Sequence, residues 1–590
     1  MPVLYGDAAA SANLPRINRS DVVFMGPKSA DVYQAYAGTL VSWGGYAWSD
    51  SPQAVEDFNK RVQTAHDLGL RYCAGLAFRT AFAGMIDFSP EFMDAVCRDL
   101  NGNPILVPWL WDHKHKDHPA YWFCTNAPLY REYLRQQTRR ATVAHIEGLH
   151  IDDYNGTAGT EWRGGCFCRY CMAAFRDYLR KNVPAERLKE LGIQSLDDFD
   201  YGQFLRAQGV SIEDYRRRVD SSLPLGPEFM TFQYRAAAEW VGEIRRYAES
   251  LVGHPLMLSV NSSASSPKAL VIAPQVTYFA GEVNHRASSL AWPEEPILVF
   301  KLCEALDRPM ACTASGQDWA FINETKRVGL VRMWIAQAYA FGHQLMVPHR
   351  QWAYTETKGT HWYQSDPSDY AYLYRFVRDN ARLFDDYDDA TQVALLYSNA
   401  AFRSGNTQAK EACLWLARAN VPFRIILAGD DWLDVRLSPD DLTGIKAIVV
   451  SEPLLLDEAQ TAVLKEAGQR LVTWPDEEKL FRLVPRQISI EGADNITVVP
   501  RLVPGDDTRP FVCHLVNRNY DAATDTMVAQ EDFRITLSKS LFQGATIGAA
   551  KLHSPGHESV EIAFTQTPEV VTLTVPQLDL WAIVELIPTL

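Results

Sequence analysis

Between residues 39 and 349, short apolar runs alternate with amphipathic helical patterns, and this alternation constrains the fold more than any other feature of the chain. The apolar runs are 39–45, 72–77, 105–110, 149–153, 255–260, 276–280, 310–313 and 345–348. Helical periodicity fills much of the space between them, at 54–68, 129–145, 172–180, 234–251 and 328–340. Short strands without polar alternation are buried on both faces, as in a parallel sheet covered by helices. Eight such units in succession predict an α/β protein with a (β/α)8 TIM barrel, whose chemistry sits at the C-terminal strand ends. The charged stretch 181–227, rich in Asp, Arg and Tyr, reads as an insertion after the fourth strand that shapes the barrel mouth.

A length of 590 residues exceeds one hydrophobic core and implies several domains. After the barrel, taken as 1–388, strand and helix patterns over 389–475 predict a small flavodoxin-like α/β domain. It lacks a glycine-rich phosphate loop, which argues against a nucleotide and against any organic cofactor. Short strands at 511–516, 534–537, 558–564, 570–575 and 581–586 then predict a C-terminal antiparallel β-sandwich over 476–590.

The formal net charge of −15 speaks against a nucleic-acid partner, which needs a basic surface. No apolar run is long enough to span a bilayer, so no membrane partner is expected. Residues 1–20 show no apolar leader region, and the expected location is cytoplasmic. In that compartment ten cysteines serve as thiols or metal ligands. Three of them, Cys166, Cys168 and Cys171, fall within six residues at the start of a predicted helix. This arrangement offers thiolates to a tetrahedral zinc, with Cys124 as the best fourth ligand.

The motif Cys124-x-Asn126-Ala127-Pro128-Leu129-Tyr130-Arg131, then Ile151-Asp152-Asp153-Tyr154, then Cys166-x-Cys168-x-x-Cys171, resembles family 42 glycoside hydrolases. A second match runs through Trp319-Ala320, Gly329, Val331-Arg332, Trp334 and Gln337-Ala338. The resemblance implies a β-galactosidase-like barrel, a flavodoxin-like domain that joins subunits into a trimer or dimer, and a β domain. It also implies a structural zinc on Cys124, Cys166, Cys168 and Cys171. The chain departs from the family where the chemistry resides. The family's acid/base Glu falls at Tyr154 and its nucleophile at Ala311, so both catalytic glutamates are replaced.

Other acids must then carry glycosidase chemistry, which uses two carboxyl groups flanking the scissile bond. Asp153 ends the fourth predicted strand beside Asp152, and Glu282 closes the sixth, so Asp153 and Glu282 are the expected catalytic pair. Candidates for holding substrate are Arg79, Asp152, Tyr154, His150, Asp318, Trp319, His349 and Arg350. Trp319 would offer a stacking floor for a sugar ring. The cationic groups would suit an anionic sugar through bidentate bonds. The expected function is a glycosidase acting on a terminal sugar or short oligosaccharide. Three other readings compete with it: an inverting exosialidase-like enzyme pairing His150 with an Asp, a polysaccharide lyase using Tyr154 or His349 as base, and a carbohydrate-binding relic.

Overall fold

The computed structural model describes residues 15–78 and 80–589. It is a mixed α/β protein with a β-rich C-terminal region. Eight parallel strands lie in two hydrogen-bonded arcs. The first runs in order through β1 (Val23–Phe24), β2 (Leu40–Gly44), β3 (Arg71–Ala77), β4 (Gly148–Asp152) and β5 (Met257–Val260). The second contains β6 (Phe279–Val283), β7 (Met310–Ala314) and β8 (Gln344–Leu345). At one seam Thr277 N donates to Leu258 O at 2.8 Å, and at the other Val347 N donates to Val23 O at 2.8 Å. Tyr278 reaches from the second arc to Ser42 on β2, hydroxyl to hydroxyl at 2.8 Å.

The period-two alternation of each strand sorts its side chains. Leu40, Cys73, Met257, Ala280, Ala311 and Met346 meet in one small core enclosed by the arcs. Their neighbours Val41, Ala74, Leu258, Phe279 and Met310 join the larger core beneath the helices. Those helices start where the sequence supplies caps. Pro52–His66, for instance, opens on Ser51, whose side chain accepts from Ala54 N, with proline at the first turn.

One expectation for this region is corrected. Residues 105–110 form no strand of either arc: Leu106 makes an isolated bridge to Tyr121, and Pro108–Leu110 is a 3-10 turn. Prolines at 104 and 108 deny that run a continuous ladder. Val23–Phe24 is instead the eighth parallel strand of the two arcs, too short for its pattern to register. The insertion over 181–227 is present as helices Ala185–Glu190, Tyr201–Ala207 and Ile212–Arg218, leading into the long helix Gly226–Val252.

A four-stranded parallel sheet follows, with Val393–Ser398 between Phe423–Ala428 and Ala447–Val450, and Leu471–Thr473 at the edge. Two antiparallel sheets, of six and four strands, then enclose a separate apolar core. The chain enters the six-stranded sheet early. Asp388–Asp389 pairs with Arg501 and Leu502 before the four-stranded parallel sheet begins. That parallel sheet is therefore a loop out of the β region.

Candidate functional site

Strand parity decides which acids face inward. On β4, Leu149 and Ile151 pack toward the helices, whereas His150 lies between the arcs with Nδ1 2.9 Å from Ser259 Oγ. Asp152 shares the parity of His150 and closes the inner face of the strand. On β6, Ala280 points into the enclosed core and Glu282 follows it two residues later. Asn261, just past β5, stands between them and donates Nδ2–H to Asp152 Oδ1 at 3.0 Å. A side chain at 281 would meet Ser262 N at 2.6 Å and Asn261 Oδ1 at 2.8 Å, so glycine there lets Asn261 approach the acids.

These residues open onto a cavity of about 680 Å³ at the C-terminal strand ends. Asp152, Asp153, Asn261 and Glu282 line one part, and Trp43, Trp109, Trp352 and Trp362 form apolar walls. Met25 to Lys28 and Arg350 also line it, from the connections that follow β1 and β8. Gly26, at φ +79°, turns the first of these connections. Asp153 follows with φ +54°, a left-handed conformation that takes it off the strand, and its N–H donates to Asp152 Oδ1 at 2.9 Å.

The other expected substrate residues divide. Arg350 reaches the cavity, its guanidinium carbon 4.7 Å above the Trp362 ring. Arg79 lies outside the described residues. His150 is fully buried beneath Trp43, at 4.2 Å between ring centroids, and burial holds its imidazole well below the usual pKa. Tyr154 is buried away from the cavity lining, and His349 contacts Gln364 and Tyr36. Asp318 has a structural arrangement instead. It closes a capping box with Ser315 and accepts from His285 N at 2.9 Å and Ala287 N at 2.7 Å. Trp319 is buried too, donating Nε1–H to Thr313 Oγ1 at 2.8 Å and stacking on Tyr363. The aromatic walls therefore come from residues the sequence reading did not single out, Trp43, Trp109, Trp352 and Trp362. Trp43 lies within β2, Trp109 in the turn Pro108–Leu110, and Trp352 and Trp362 in the hairpin after β8, so no shared sequence signal marked them.

Behind this mouth, Cys124, Cys166, Cys168 and Cys171 are buried with their sulfurs within 4.8 Å of one another, and the cluster could hold a metal ion. Tetrahedral zinc with bonds of about 2.3 Å needs sulfurs about 3.8 Å apart, and Cys124 lies 3.5 Å from both Cys168 and Cys171. Donors also surround the sulfurs as thiolates require. Arg98 N points at Cys166, Asn126 N at Cys124 and Asn126 Nδ2 at Cys171, each at 3.4 Å. Burial raises the Cys166 and Cys171 thiols, whereas at Cys124 neighbouring S–H donors outweigh burial and lower it. Cys97, also buried, touches the cluster through Cys124 and Cys166.

No family model matches the chain. Two curated alpha-agarases match it. That of Thalassotalea agarivorans is 25% identical over 600 residues and that of Alteromonas agarilytica 24% over 604, each alignment covering 97% of this chain. The chain spans only 40% and 41% of the length of these relatives. Among solved structures, alpha-L-fucosidase isoenzyme 2 from Paenibacillus thiaminolyticus has a TM-score of 0.65 at 12% identity, over 97% of this chain and 100% of that one. That likeness shows a shared fold.

Proposed function

We propose that this chain is a glycoside hydrolase cleaving α-linkages of an agar-type polysaccharide, with Asp152 and Glu282 as its carboxyl pair. The observation that carries the proposal is the inward parity of both acids at the ends of β4 and β6, in a cavity walled by tryptophans. One acid protonates the glycosidic oxygen while the other attacks the anomeric carbon or activates water. Two N–H donors on Asp152 Oδ1 suit a carboxylate that stays ionised, so Asp152 is assigned the nucleophile or base role and Glu282 the proton donor. Asp153 supports this pair by fixing Asp152 through its backbone.

A polymer fits better than a small glycoside. The four strongly exposed tryptophans among the described residues are Trp48 (67%), Trp111 (62%), Trp162 (47%) and Trp362 (45%). All four lie in connections that leave the C-terminal strand ends. Flat indole faces around one mouth offer successive sugar rings stacking surfaces. The alpha-agarase relatives point to the linkage.

In this reading the two arcs form one closed (β/α)8 barrel, supported by the seam hydrogen bonds and the core enclosed between the arcs. The parallel sheet and the β-sandwich form separate domains. The four cysteines hold a structural zinc, and their spacing supports a scaffold related to family 42 glycoside hydrolases.

The test is digestion of agarose and its oligosaccharides by wild type, Asp152→Asn and Glu282→Gln, with product ends identified by NMR. Release of fragments with new reducing ends, lost in both variants, is expected. A product with an unsaturated sugar, or undiminished activity in both variants, would overturn the assignment. An aryl glycoside with a good leaving group should spare Glu282→Gln more than Asp152→Asn.

A further inference from the structure

The cavity is electrically two-sided. Its acids leave β4 and β6, while its described cations, Lys28 and Arg350, leave β1 and β8, which are joined by the Val347–Val23 hydrogen bond. Lys28 is half-buried, and its ammonium donates to Met25 O at 2.8 Å. Its backbone N–H donates to Tyr33 Oη at 2.8 Å, which fixes the loop. Among the described residues, no acidic side chain pairs with Lys28 or Arg350. Arg350 instead lies over Trp362, a contact that orients the guanidinium and leaves its donor edge available.

Two cations on one wall repel each other, and neither is offset by a carboxylate there. Burial, with Arg350 nearby, lowers the Lys28 ammonium to about 8. A bound oxyanion would relieve both strains: a planar guanidinium matches two oxygens of a sulfate ester or carboxylate, and the ammonium supplies a point charge to a third contact.

We propose that Lys28 and Arg350 form a subsite for an anionic substituent, a sulfate ester or a carboxylate, on the saccharide bound in this cavity. This inference rests on the reading of the cavity as a saccharide site and names the substrate class that reading leaves open: a charged galactan in preference to a neutral one.

The experiment compares three tetrasaccharides of equal length: a neutral one from agarose, a galactan bearing sulfate esters, and one bearing a galacturonate. Binding is measured by calorimetry on the Glu282→Gln protein, where turnover does not interfere, and kcat and KM are measured on the wild type. At least one anionic tetrasaccharide should bind ten-fold or more tighter than the neutral one. Preference for the sulfated arm assigns a sulfate ester, and preference for the galacturonate arm assigns a carboxylate. The preference should fall to near unity in Lys28→Met and Arg350→Gln, mainly through KM, and be partly retained in Lys28→Arg. Unchanged melting midpoints in these variants would exclude misfolding as the cause. Equal or weaker binding of both anionic probes, or a preference that survives the double variant, overturns the subsite. Hydrolysis of neutral agarose without discrimination would remove the subsite and leave the glycosidase reading standing. Anionic preference in binding with no hydrolysis of any probe would do the reverse.

Discussion

Asp152 and Asp153 are adjacent, yet the fold places them differently. A β-strand turns successive side chains to opposite faces, so one of the two must leave the inner face unless the backbone bends. It bends at Asp153, in a left-handed conformation, and Asp152 keeps the parity of His150. The sequence pointed to Asp153, and the proposal of Asp152 in its place rests on the register of β4 against β5, where His150 faces Ser259. The place of Glu282 in the cavity lining was legible because a lone acid ends an apolar run. Asp318 was not, because an acid three residues after a serine serves equally as a helix cap. Asp152→Asn and Glu282→Gln should each lower kcat/KM by about 10²–10⁴-fold. Asp153→Asn, which keeps the backbone N–H on Asp152, should cost less than either. Kinetics on folded protein, verified by circular dichroism, checks the order, and a loss at Asp153 exceeding that at Asp152 would reverse the assignment.

Elements explain what single residues cannot. The cysteine cluster was legible because three thiols come from one turn and the start of the helix Arg169–Asn182. The fourth, Cys124, arrives from ahead of Pro128–Ala141. With one zinc bound, elemental analysis should find about one metal per chain, and Cys166→Ser should reduce that to near zero. Full metal content in the variant would show that the cluster is not the site. The helix Gly316–Thr325 makes a contrasting case. Its Asp318 satisfies backbone N–H groups of its own first turn and of the loop that follows β6. Asp318→Ala removes a cap worth about 1–2 kcal/mol and leaves loop donors unpaired, so a total loss of about 2–4 kcal/mol is expected in denaturant unfolding. A collapse of kcat at unchanged stability would instead place Asp318 in the chemistry. What hid the aromatic walls was similar in kind. Trp319 and Trp352 look alike in sequence, and only the hairpin Gln351–Thr355 with Gly359–Tyr363 places one in the cavity lining and leaves the other buried.

At the scale of the molecule, periodicity conveyed the order of the layers but not how they are fastened. The early strand Asp388–Asp389, two residues long, carries no pattern, so its pairing with Arg501 and Leu502 was not legible in the sequence. Charged side chains secure that joint. Lys301 pairs with Asp389, and Arg501 reaches Glu304 at 2.6 Å. Arg382 grips Glu585 with two bonds, at 2.5 and 2.8 Å, while His553 Nε2 lies 2.9 Å from the same carboxylate. Burial alone would raise Glu585, but Arg382 and His553 outweigh it and hold the carboxyl at about 2. Because the folded value lies below the unfolded one, this group adds stability that is complete above about pH 5 and disappears as pH falls through about 2. The exposed side of Arg382 limits the contribution to about 2 kcal/mol. Asp389 acts in the opposite sense. Burial and Glu304 push it up to about 6, so its contribution declines as pH rises from about 4 to 6. Glu585→Gln isolates the first effect, since it leaves the Asp389 cluster intact. Urea unfolding between pH 2 and 7 should show the wild type losing more stability below pH 5 than the variant does. Parallel curves for the two proteins would mean that the Arg382–Glu585 bond does not hold this joint.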